Sequence, residues 1–128
     1  MARVLIADQS PVLARELAVA CQSAGLAVVG IARDGLGAVE QAARLRPTHL
    51  VLDLLLPRLG GAQVLATLRR QAVPVVAVVV SAVTARESIL GARQAGATAY
   101  LLKPIAVPRL IEVLTAQRNE PAAVAAVQ

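Results

Sequence analysis

The sequence predicts an α/β domain in which a doubly wound, five-stranded parallel β-sheet carries helices on both faces. Segments that look like strands start about every 22 to 26 residues, and a segment with helical spacing follows each of them. The strand-like segments are apolar without alternation, as expected when helices cover both faces of a sheet. The chain of 128 residues, 57% of them hydrophobic, can build one substantial core but not a second domain.

Five short apolar segments are the predicted strands. In chain order they are RVLIA (3–7), LAVVGIA (26–32), HLVLD (49–53), VPVVAVVVS (73–81) and AYLL (99–102). The fourth is the longest and is rich in β-branched residues, with Pro74 acceptable at its edge.

The segments between the strands carry helix start and stop signals. Ser10 can cap the first helix, with Pro11 at a position whose N–H needs no partner, and Gly25 ends it. The other predicted helices are 34–46 with Asp34 as cap, 61–70, 84–96 with Thr84 as cap and Gly96 as stop, and 108–118. Gly35 and Gly37 lack a full phosphate-binding fingerprint and are interpreted as the turn into the second helix.

Composition excludes several functional classes. The net charge of +5 comes from scattered arginines without interleaved aromatic residues, so the pattern does not favour nucleic-acid binding by this chain alone. No apolar run approaches the roughly 18 residues of a membrane span, and the N-terminus does not resemble a signal peptide. The single cysteine, Cys21, cannot form an internal disulfide and is interpreted as a buried helical thiol, which fits a cytoplasmic protein.

The stretch THLVLDLLLPRLGG (48–61) places a carboxylate, Asp53, at the end of an apolar run, where an unpaired charge would be costly. Parallel strands end at one edge of a sheet, and ligands bind there in this fold class. If the first and third strands are neighbours, that edge gathers Asp8, Asp53, Ser81 and Lys103. The breakers Pro57, Gly60 and Gly61 would shape the adjacent loop.

Four stretches, VLIADQSP, LVLDLLLPRLGG, VVVSA and AYLLKP, resemble the receiver domain of two-component response regulators. The resemblance covers about residues 2 to 119 and implies the flavodoxin-like, chemotaxis-type fold with strand order 2-1-3-4-5. A receiver domain is therefore expected over residues 1–119, and residues 120–128 are expected to be a tail or the start of a linker.

The resemblance also implies roles for individual residues. Asp53 would accept a phosphoryl group from a sensor histidine kinase or phosphotransfer protein, and Lys103 would contact the phosphoryl oxygens, followed by a cis peptide bond to Pro104. Ser81 and Tyr100 would be switch residues, with Ser81 bonding the phosphoryl group and Tyr100 turning inward as Ser81 shifts. Mg²⁺ would be held by Asp8, Asp53 and the backbone carbonyl of Leu55.

Gln9 departs from the family pattern, because a second acid usually follows the first strand. An amide oxygen can still bind Mg²⁺, but it lacks a charge that is worth about 4 kcal/mol at ~4 Å and an effective dielectric near 20. Weak Mg²⁺ binding and slow phosphorylation are therefore expected, unless a shifted first loop lets Asp8 reach the metal itself. The alternative is a degenerate receiver that acts as a phosphorylation-independent interaction module.

Two apolar residues, Leu55 and Val83, stand where the family usually flanks the path of hydrolytic water. They predict a long-lived phosphoryl group, or else they simply cover the core. His49 has no second His or Cys nearby, which argues against a metal-ligand role. An enzyme that acts on a diffusible substrate is not favoured, because self-phosphorylation and self-dephosphorylation are the most that the motifs suggest.

The face between Ala85 and Arg118 is the predicted surface for binding partner proteins. There Leu90, Tyr100, Ile111 and Leu114 could bind an effector protein or output domain, or a second copy of the chain. The same residues are also compatible with ordinary helix packing.

Overall fold

Residues 2–117 form five consecutive strand–helix units in a computed structural model of the chain. The strands are β1 Arg3–Ala7, β2 Ala27–Ala32, β3 His49–Asp53, β4 Val76–Ser81 and β5 Ala97–Leu102. The helices are α1 Pro11–Ser23, α2 Gly35–Leu45, α3 Gly61–Arg70, α4 Arg86–Gln94 and α5 Val107–Gln117. Met1 and residues 118–128 are not described, so the predicted tail and Arg118 lie outside the described residues.

All strands are parallel, and their order is β2-β1-β3-β4-β5, which confirms the predicted fold class. One face of the sheet packs against α2, α3 and α4, and the other packs against α1 and α5, because alternate residues of each strand point to opposite cores. Within residues 2–117, no helix is long and apolar enough to cross a membrane.

Side-chain caps begin the first two helices as predicted. The Ser10 hydroxyl accepts from the Leu13 N–H at 3.2 Å, and Asp34 Oδ1 accepts from the Gly37 N–H at 2.7 Å. The prediction of Thr84 as the cap of α4 is wrong, because the helix starts one residue later, after Ala85, without a side-chain cap. The Val83 N–H donates to the Ser81 hydroxyl, and the Val83 carbonyl accepts from the Tyr100 hydroxyl. These two bonds fix Val83 in the loop, and the helix begins only after it.

The predicted starts of three strands were also wrong. β2 begins at Ala27 rather than Leu26, because Ala27 pairs with Arg3 at the start of β1. β4 begins at Val76 rather than Val73, because its partner β3 begins at His49, and these two residues pair. β5 begins at Ala97 rather than Ala99, because Ala97 pairs with Ala77 of β4. Neighbouring strands, and not the local apolar run, therefore set these boundaries.

The β3–α3 loop folds back onto the end of β3. Gly61 donates to the Leu54 carbonyl at 2.8 Å, and a Cβ at this position would stand only 2.7 Å from the Asp53 carbonyl oxygen. Gly35 lies against the Leu59 backbone of the same loop, where a Cβ would overlap the Leu59 carbonyl. Gly61 therefore shapes the site loop by close approach, as predicted, whereas a Cβ on Gly60 would make only an ordinary contact, 3.8 Å from the Leu54 carbonyl oxygen.

Candidate functional site

Two nearly buried carboxylates meet at the carboxyl edge of the sheet. Asp8 follows β1 and Asp53 ends β3, and they lie close together because β1 and β3 are adjacent strands. Their exposed fractions are 3% and 6%. The Lys103 ammonium, just beyond β5, bridges them: its Nζ lies 3.0 Å from Asp53 Oδ2 and 3.4 Å from Asp8 Oδ2. The structure thus brings together three of the four predicted strand-end groups by direct contact.

The second oxygen of each carboxylate accepts a backbone hydrogen bond. Asp8 Oδ1 accepts from the Ser10 N–H at 2.8 Å, and Asp53 Oδ1 accepts from the Leu55 N–H at 3.1 Å. Each buried carboxylate therefore has one cationic and one amide partner, which accounts for an acid at the end of an apolar run.

The two carboxylates change the pKa of the Lys103 ammonium. Burial alone would lower the pKa of the Lys103 ammonium, but the hydrogen bond and charge of Asp53, together with those of Asp8, outweigh burial and raise the pKa above its ordinary value. Lys103 therefore remains charged at neutral pH. One ammonium faces two carboxylates, so a cation or a polarisable group could still be accommodated beside them.

Gln9 contacts the loop that the resemblance assigned to the metal. Its Nε2 donates to the Leu55 carbonyl oxygen at 3.4 Å, so the amide nitrogen faces that oxygen. The oxygens of Asp8, Asp53 and Leu55 are the kind of donors that Mg²⁺ takes in proteins. Across residues 2–117, however, no cluster of three or more His, Cys, Asp or Glu side chains could hold a metal ion. These oxygens are therefore the type of ligand that Mg²⁺ prefers, but only the two carboxylates among them carry a negative charge.

Ser81 and Tyr100 meet through the main chain of Val83. The Ser81 hydroxyl accepts from the Val83 N–H at 3.0 Å, and the Tyr100 hydroxyl donates to the Val83 carbonyl at 2.8 Å. Tyr100 is 2% exposed and thus already lies inside the protein. Ser81 also links to Lys103 through the backbone, because its carbonyl accepts from the Lys103 N–H at 2.9 Å, and the peptide bond to Pro104 is cis, as predicted.

Leu55 and Val83 differ in their surroundings. Leu55 is 59% exposed, so the alternative that it covers the core does not hold for this residue. Val83 is partly buried and packs against the core cluster formed with α2, α3 and α4. Of these two residues, only Leu55 is therefore exposed to solvent beside the site.

His49 and Cys21 are both buried away from the site. His49 begins β3, whereas Asp53 ends it, and His49 Nδ1 lies 2.7 Å from the Thr48 hydroxyl. Its Nε2 has no hydrogen-bond partner in the described part of the chain, and burial lowers the pKa of the imidazole. Cys21 is a buried helical thiol, as predicted, and burial raises its pKa to about 11.

The predicted output face is less apolar than the sequence suggested. Tyr100 is 2% exposed and Leu114 is fully buried, because both point into the cores on either side of β5. Leu90 is 40% exposed and Leu102, which was not predicted, is 39% exposed. For Tyr100 and Leu114, ordinary packing is thus the correct interpretation.

Two features of the site escaped the sequence analysis. The Leu55 carbonyl is paired with Gln9, and the Val83 peptide links the two predicted switch residues. Both depend on backbone groups in loops, and no residue type in the sequence signals them.

The chain is similar in sequence to known proteins. The family model for the response regulator receiver domain matches residues 4–127. Protein-glutamate methylesterase/protein-glutamine glutaminase 5 of Myxococcus xanthus is 45% identical over 115 residues, covering 87% of this chain and 33% of that protein. The transcriptional regulatory protein PdtaR of Mycobacterium tuberculosis is 34% identical over 112 residues, covering 88% of this chain and 54% of that protein. The chain thus spans a third to about half of the length of these relatives.

Solved structures agree. The signal receiver domain of the response regulator NarL from Mycobacterium tuberculosis superposes with a TM-score of 0.86 at 29% identity, covering 90% of this chain and 94% of that one. The response regulator domain of Thermotoga maritima CheB gives a TM-score of 0.84 at 30% identity, covering 91% and 95%.

Proposed function

This chain belongs to the family of response regulator receiver domains, and from that membership we propose that Asp53 is its phosphoryl acceptor. The supporting observation is the position of Asp53 at the end of β3, nearly buried, with the Lys103 ammonium 3.0 Å from one oxygen. The proposed phosphoryl donor is the phosphohistidine of a sensor kinase or of a phosphotransfer protein.

The geometry suits nucleophilic attack by a carboxylate on phosphorus. One Asp53 oxygen forms the new bond, the phosphorus–nitrogen bond of the donor breaks, and the donor histidine keeps its electron pair. The transition state carries its charge on the phosphoryl oxygens, and Lys103 stands where it can neutralise part of that charge. The product would carry about −1.5 to −2 charges where the carboxylate carried one.

We propose that Mg²⁺ is held by Asp8, Asp53 and the Leu55 carbonyl, and that it binds weakly. When bound, the ion neutralises phosphoryl oxygens during transfer. Gln9 weakens the site in two ways, because it contributes no charge and its amide hydrogen bonds to the Leu55 carbonyl. This hydrogen bond takes up one of the two lone pairs of that oxygen and so competes with the metal for it.

Ser81 and Tyr100 are the proposed switch residues. The Ser81 hydroxyl accepts from the Val83 N–H and can donate its own proton to a phosphoryl group on Asp53; if the side chain changes rotamer to do so, the bond with Val83 breaks. Because the carbonyl of the same residue holds the Tyr100 hydroxyl, the change can reach the α4–β5 surface. Tyr100 is already inside without a phosphoryl group, so the expected response is a change of its hydrogen bond and loop rather than a large rotation.

We propose that a phosphoryl group on Asp53 is hydrolysed slowly. Leu55 is exposed at the mouth of the site, and its apolar side chain cannot orient a water molecule for attack. Val83, at the second position near this path, is equally apolar.

The domain boundary and the output remain part of the proposal. We place the receiver domain at residues 1–119 and a tail or linker at residues 120–128. Output would run through the surface between Ala85 and Arg118, toward an effector protein, an output domain or a second copy of the chain. The proposal assigns no enzymatic activity on a diffusible substrate, and the activity named for the methylesterase relative is not transferred, because the match covers 33% of that protein.

One observation favours the alternative of a phosphorylation-independent interaction module. Lys103 already pairs with both carboxylates, and Gln9 occupies the Leu55 carbonyl, so the site is satisfied internally. This alternative predicts that acetyl phosphate and Mg²⁺ leave Asp53 unmodified.

Incubation with acetyl phosphate and Mg²⁺, followed by intact-mass and peptide mass spectrometry, tests the proposal. We expect one acid-labile phosphoryl group on Asp53 that is absent from Asp53→Asn and retained by Asp34→Asn, the matched surface control. Beryllofluoride, observed by NMR, provides a second arm. Failure of both reagents to act on Asp53 at high Mg²⁺ would refute phosphoryl acceptance and favour the interaction module.

A further inference from the structure

Six arginines lie together at the edge of the sheet opposite to Asp53. In a fold of parallel strand–helix units, this edge holds the strand starts and the helix C-terminal ends. The basic edge, as we define it, consists of Arg3 at the start of β1, Arg44 and Arg46 at the end of α2, Arg69 and Arg70 at the end of α3, and Arg93 at the end of α4. All are exposed except Arg3, which is partly buried.

No acidic residue of the described chain balances this edge. Asp8, Asp34, Asp53 and Glu87 lie at the opposite edge, and Glu16, Glu40 and Glu112 lie within helices. Correspondingly, no salt bridge found among residues 2–117 involves an arginine of the basic edge.

Helix dipoles do not account for the excess. The C-terminal ends of α2, α3 and α4 each carry roughly half a negative charge, about one and a half in all, against six guanidinium groups. Two arginines are used to satisfy helix ends. Arg3 donates to the Leu45 and Arg46 carbonyls at 2.8 and 2.6 Å, and Arg69 donates to the Gln94 carbonyl at 3.0 Å. Of the remaining four, Arg70 donates to the Thr67 hydroxyl at 3.2 Å, whereas Arg44, Arg46 and Arg93 make no side-chain hydrogen bond or salt bridge found among residues 2–117.

A cleft opens between the ends of α3 and α4 within this basic edge. Its volume is about 340 Å³, and its walls include Leu65, Leu68, Val73, Val75 and Ala95. That volume lies at the lower end of the range for ligand sites. Arg69 closes one side, and it fits there because residue 96 is glycine: a Cβ on Gly96 would stand 2.8 Å from the Arg69 guanidinium.

We propose that the basic edge and its cleft bind an acidic segment of a partner protein that inserts one apolar side chain. The carboxylates would face Arg70 and Arg93, which lie one residue after Arg69 and two residues before Ala95 of the cleft wall, and the apolar side chain would fill the space over Leu68 and Ala95. A nucleic acid would match the charge, but it has no aliphatic side chain as large as leucine to fill an apolar cleft, and this edge presents no aromatic side chain for stacking. This surface is independent of the phosphoryl site, which lies at the other edge of the sheet.

Titration of ¹⁵N-labelled protein with short probes tests the proposal. The probes are a peptide of glutamates around one central leucine, the same peptide with a central serine, and a single-stranded oligonucleotide. We expect the leucine peptide to shift the amide signals of Leu68, Ala95 and Gly96 and to bind about tenfold more tightly than the serine peptide, because it buries a leucine. Binding should weaken with salt.

Matched variants locate the site. Arg70→Gln/Arg93→Gln should weaken the leucine peptide about tenfold, whereas Arg15→Gln/Arg33→Gln at the opposite edge removes the same charge and should leave binding unchanged. Ala95→Leu, which fills the cleft, should remove the preference for leucine over serine. Absence of binding by either peptide, equal binding of both to the unmodified protein, equal loss in the two arginine pairs, or tighter binding of the oligonucleotide at these residues would each overturn the proposal.

Discussion

Replacing Gln9 by aspartate should strengthen Mg²⁺ binding. The Gln9 amide nitrogen lies 3.4 Å from the Leu55 carbonyl oxygen, which is also the proposed metal ligand. The aspartate removes this hydrogen bond, frees the carbonyl oxygen and adds a third carboxylate beside Asp8 and Asp53. Without metal, the added charge faces two carboxylates that share one ammonium, so the variant should be less stable than the natural chain.

The magnitude follows from Coulomb's law. A unit charge pair at ~4 Å and an effective dielectric near 20 is worth about 4 kcal/mol, and desolvation and reorganisation leave about a third of it, or roughly tenfold in affinity. At a Mg²⁺ concentration equal to the natural chain's dissociation constant, binding stabilises that chain by about 0.4 kcal/mol and the variant by about 1.4 kcal/mol. The difference corresponds to a Tm shift of roughly 3–5 °C in a domain of this size.

Calorimetric titration and thermal denaturation at several Mg²⁺ concentrations measure the two effects separately. Gln9→Asn is the matched control, because it shortens the side chain and disturbs its contact with Leu55 without adding charge. If the dissociation constants of Gln9→Asp and the natural chain agree within twofold, the reasoning about Gln9 is refuted.

Three further substitutions test other parts of the structure. Lys103→Met should lower the free energy of unfolding, measured in urea, by about 3 kcal/mol, because it leaves two buried carboxylates without their cationic partner. Arg58→Met, the control, breaks only the more exposed pair with Asp34 and should cost under about 0.5 kcal/mol. Equal costs for the two variants would contradict the electrostatic account. Leu55→Asn should shorten the lifetime of the phosphoryl group at least about tenfold by offering water a hydrogen-bond partner, and an unchanged lifetime in a ³²P decay assay would argue against this role. His49→Leu should reduce the loss of stability on acidification. Burial lowers the pKa of His49 in the folded protein, so the unfolded chain takes up a proton first as the pH falls through 6.5. The urea midpoint of the natural chain should therefore drop more between about pH 7 and pH 5 than that of the variant. Identical pH profiles would show that His49 is not responsible.

Patterns of apolar residues and helix signals predicted the fold, because each strand–helix unit carries its own local information. Ser10 and Asp34 cap their helices through contacts three residues away, which a sequence window can reveal. The start of β4 could not be found in this way, because it depends on pairing with His49 of β3. Thr84 failed as a cap for a similar reason: the loop before α4 is fixed in part by the hydrogen bond between the Val83 carbonyl and Tyr100, seventeen residues away.

The site was predictable to the extent that topology alone determines it. The parallel order brings Asp8, Asp53 and Lys103 to one edge, and their side chains are long enough to meet there. The contact between Gln9 and the Leu55 carbonyl is different, because it depends on the path of two loops and on the rotamer of one amide. Residue types report which chemistry is available, whereas loop conformation decides which backbone groups are free to take part.

The backbone of Val83 offers a route by which a change of charge at Asp53 could reach the surface of the protein. The Val83 N–H donates to the Ser81 hydroxyl and the Val83 carbonyl accepts from the Tyr100 hydroxyl, so two peptide planes that meet at the Val83 Cα link a residue at the site to a residue in the core. Because the Ser81 oxygen is the acceptor in its bond with Val83, its own O–H can donate to the charged oxygens of a phosphoryl group on Asp53, in a hydrogen bond about twice as strong as a neutral one. If the Ser81 side chain changes rotamer to make that bond, the Val83 N–H loses its acceptor, and a change in the φ and ψ angles of Val83 that recovers a hydrogen bond can also move the Val83 carbonyl away from Tyr100. The two proposed switch residues would therefore be coupled through the Val83 backbone and not by contact with each other, and this coupling would require no large movement of the buried Tyr100 ring.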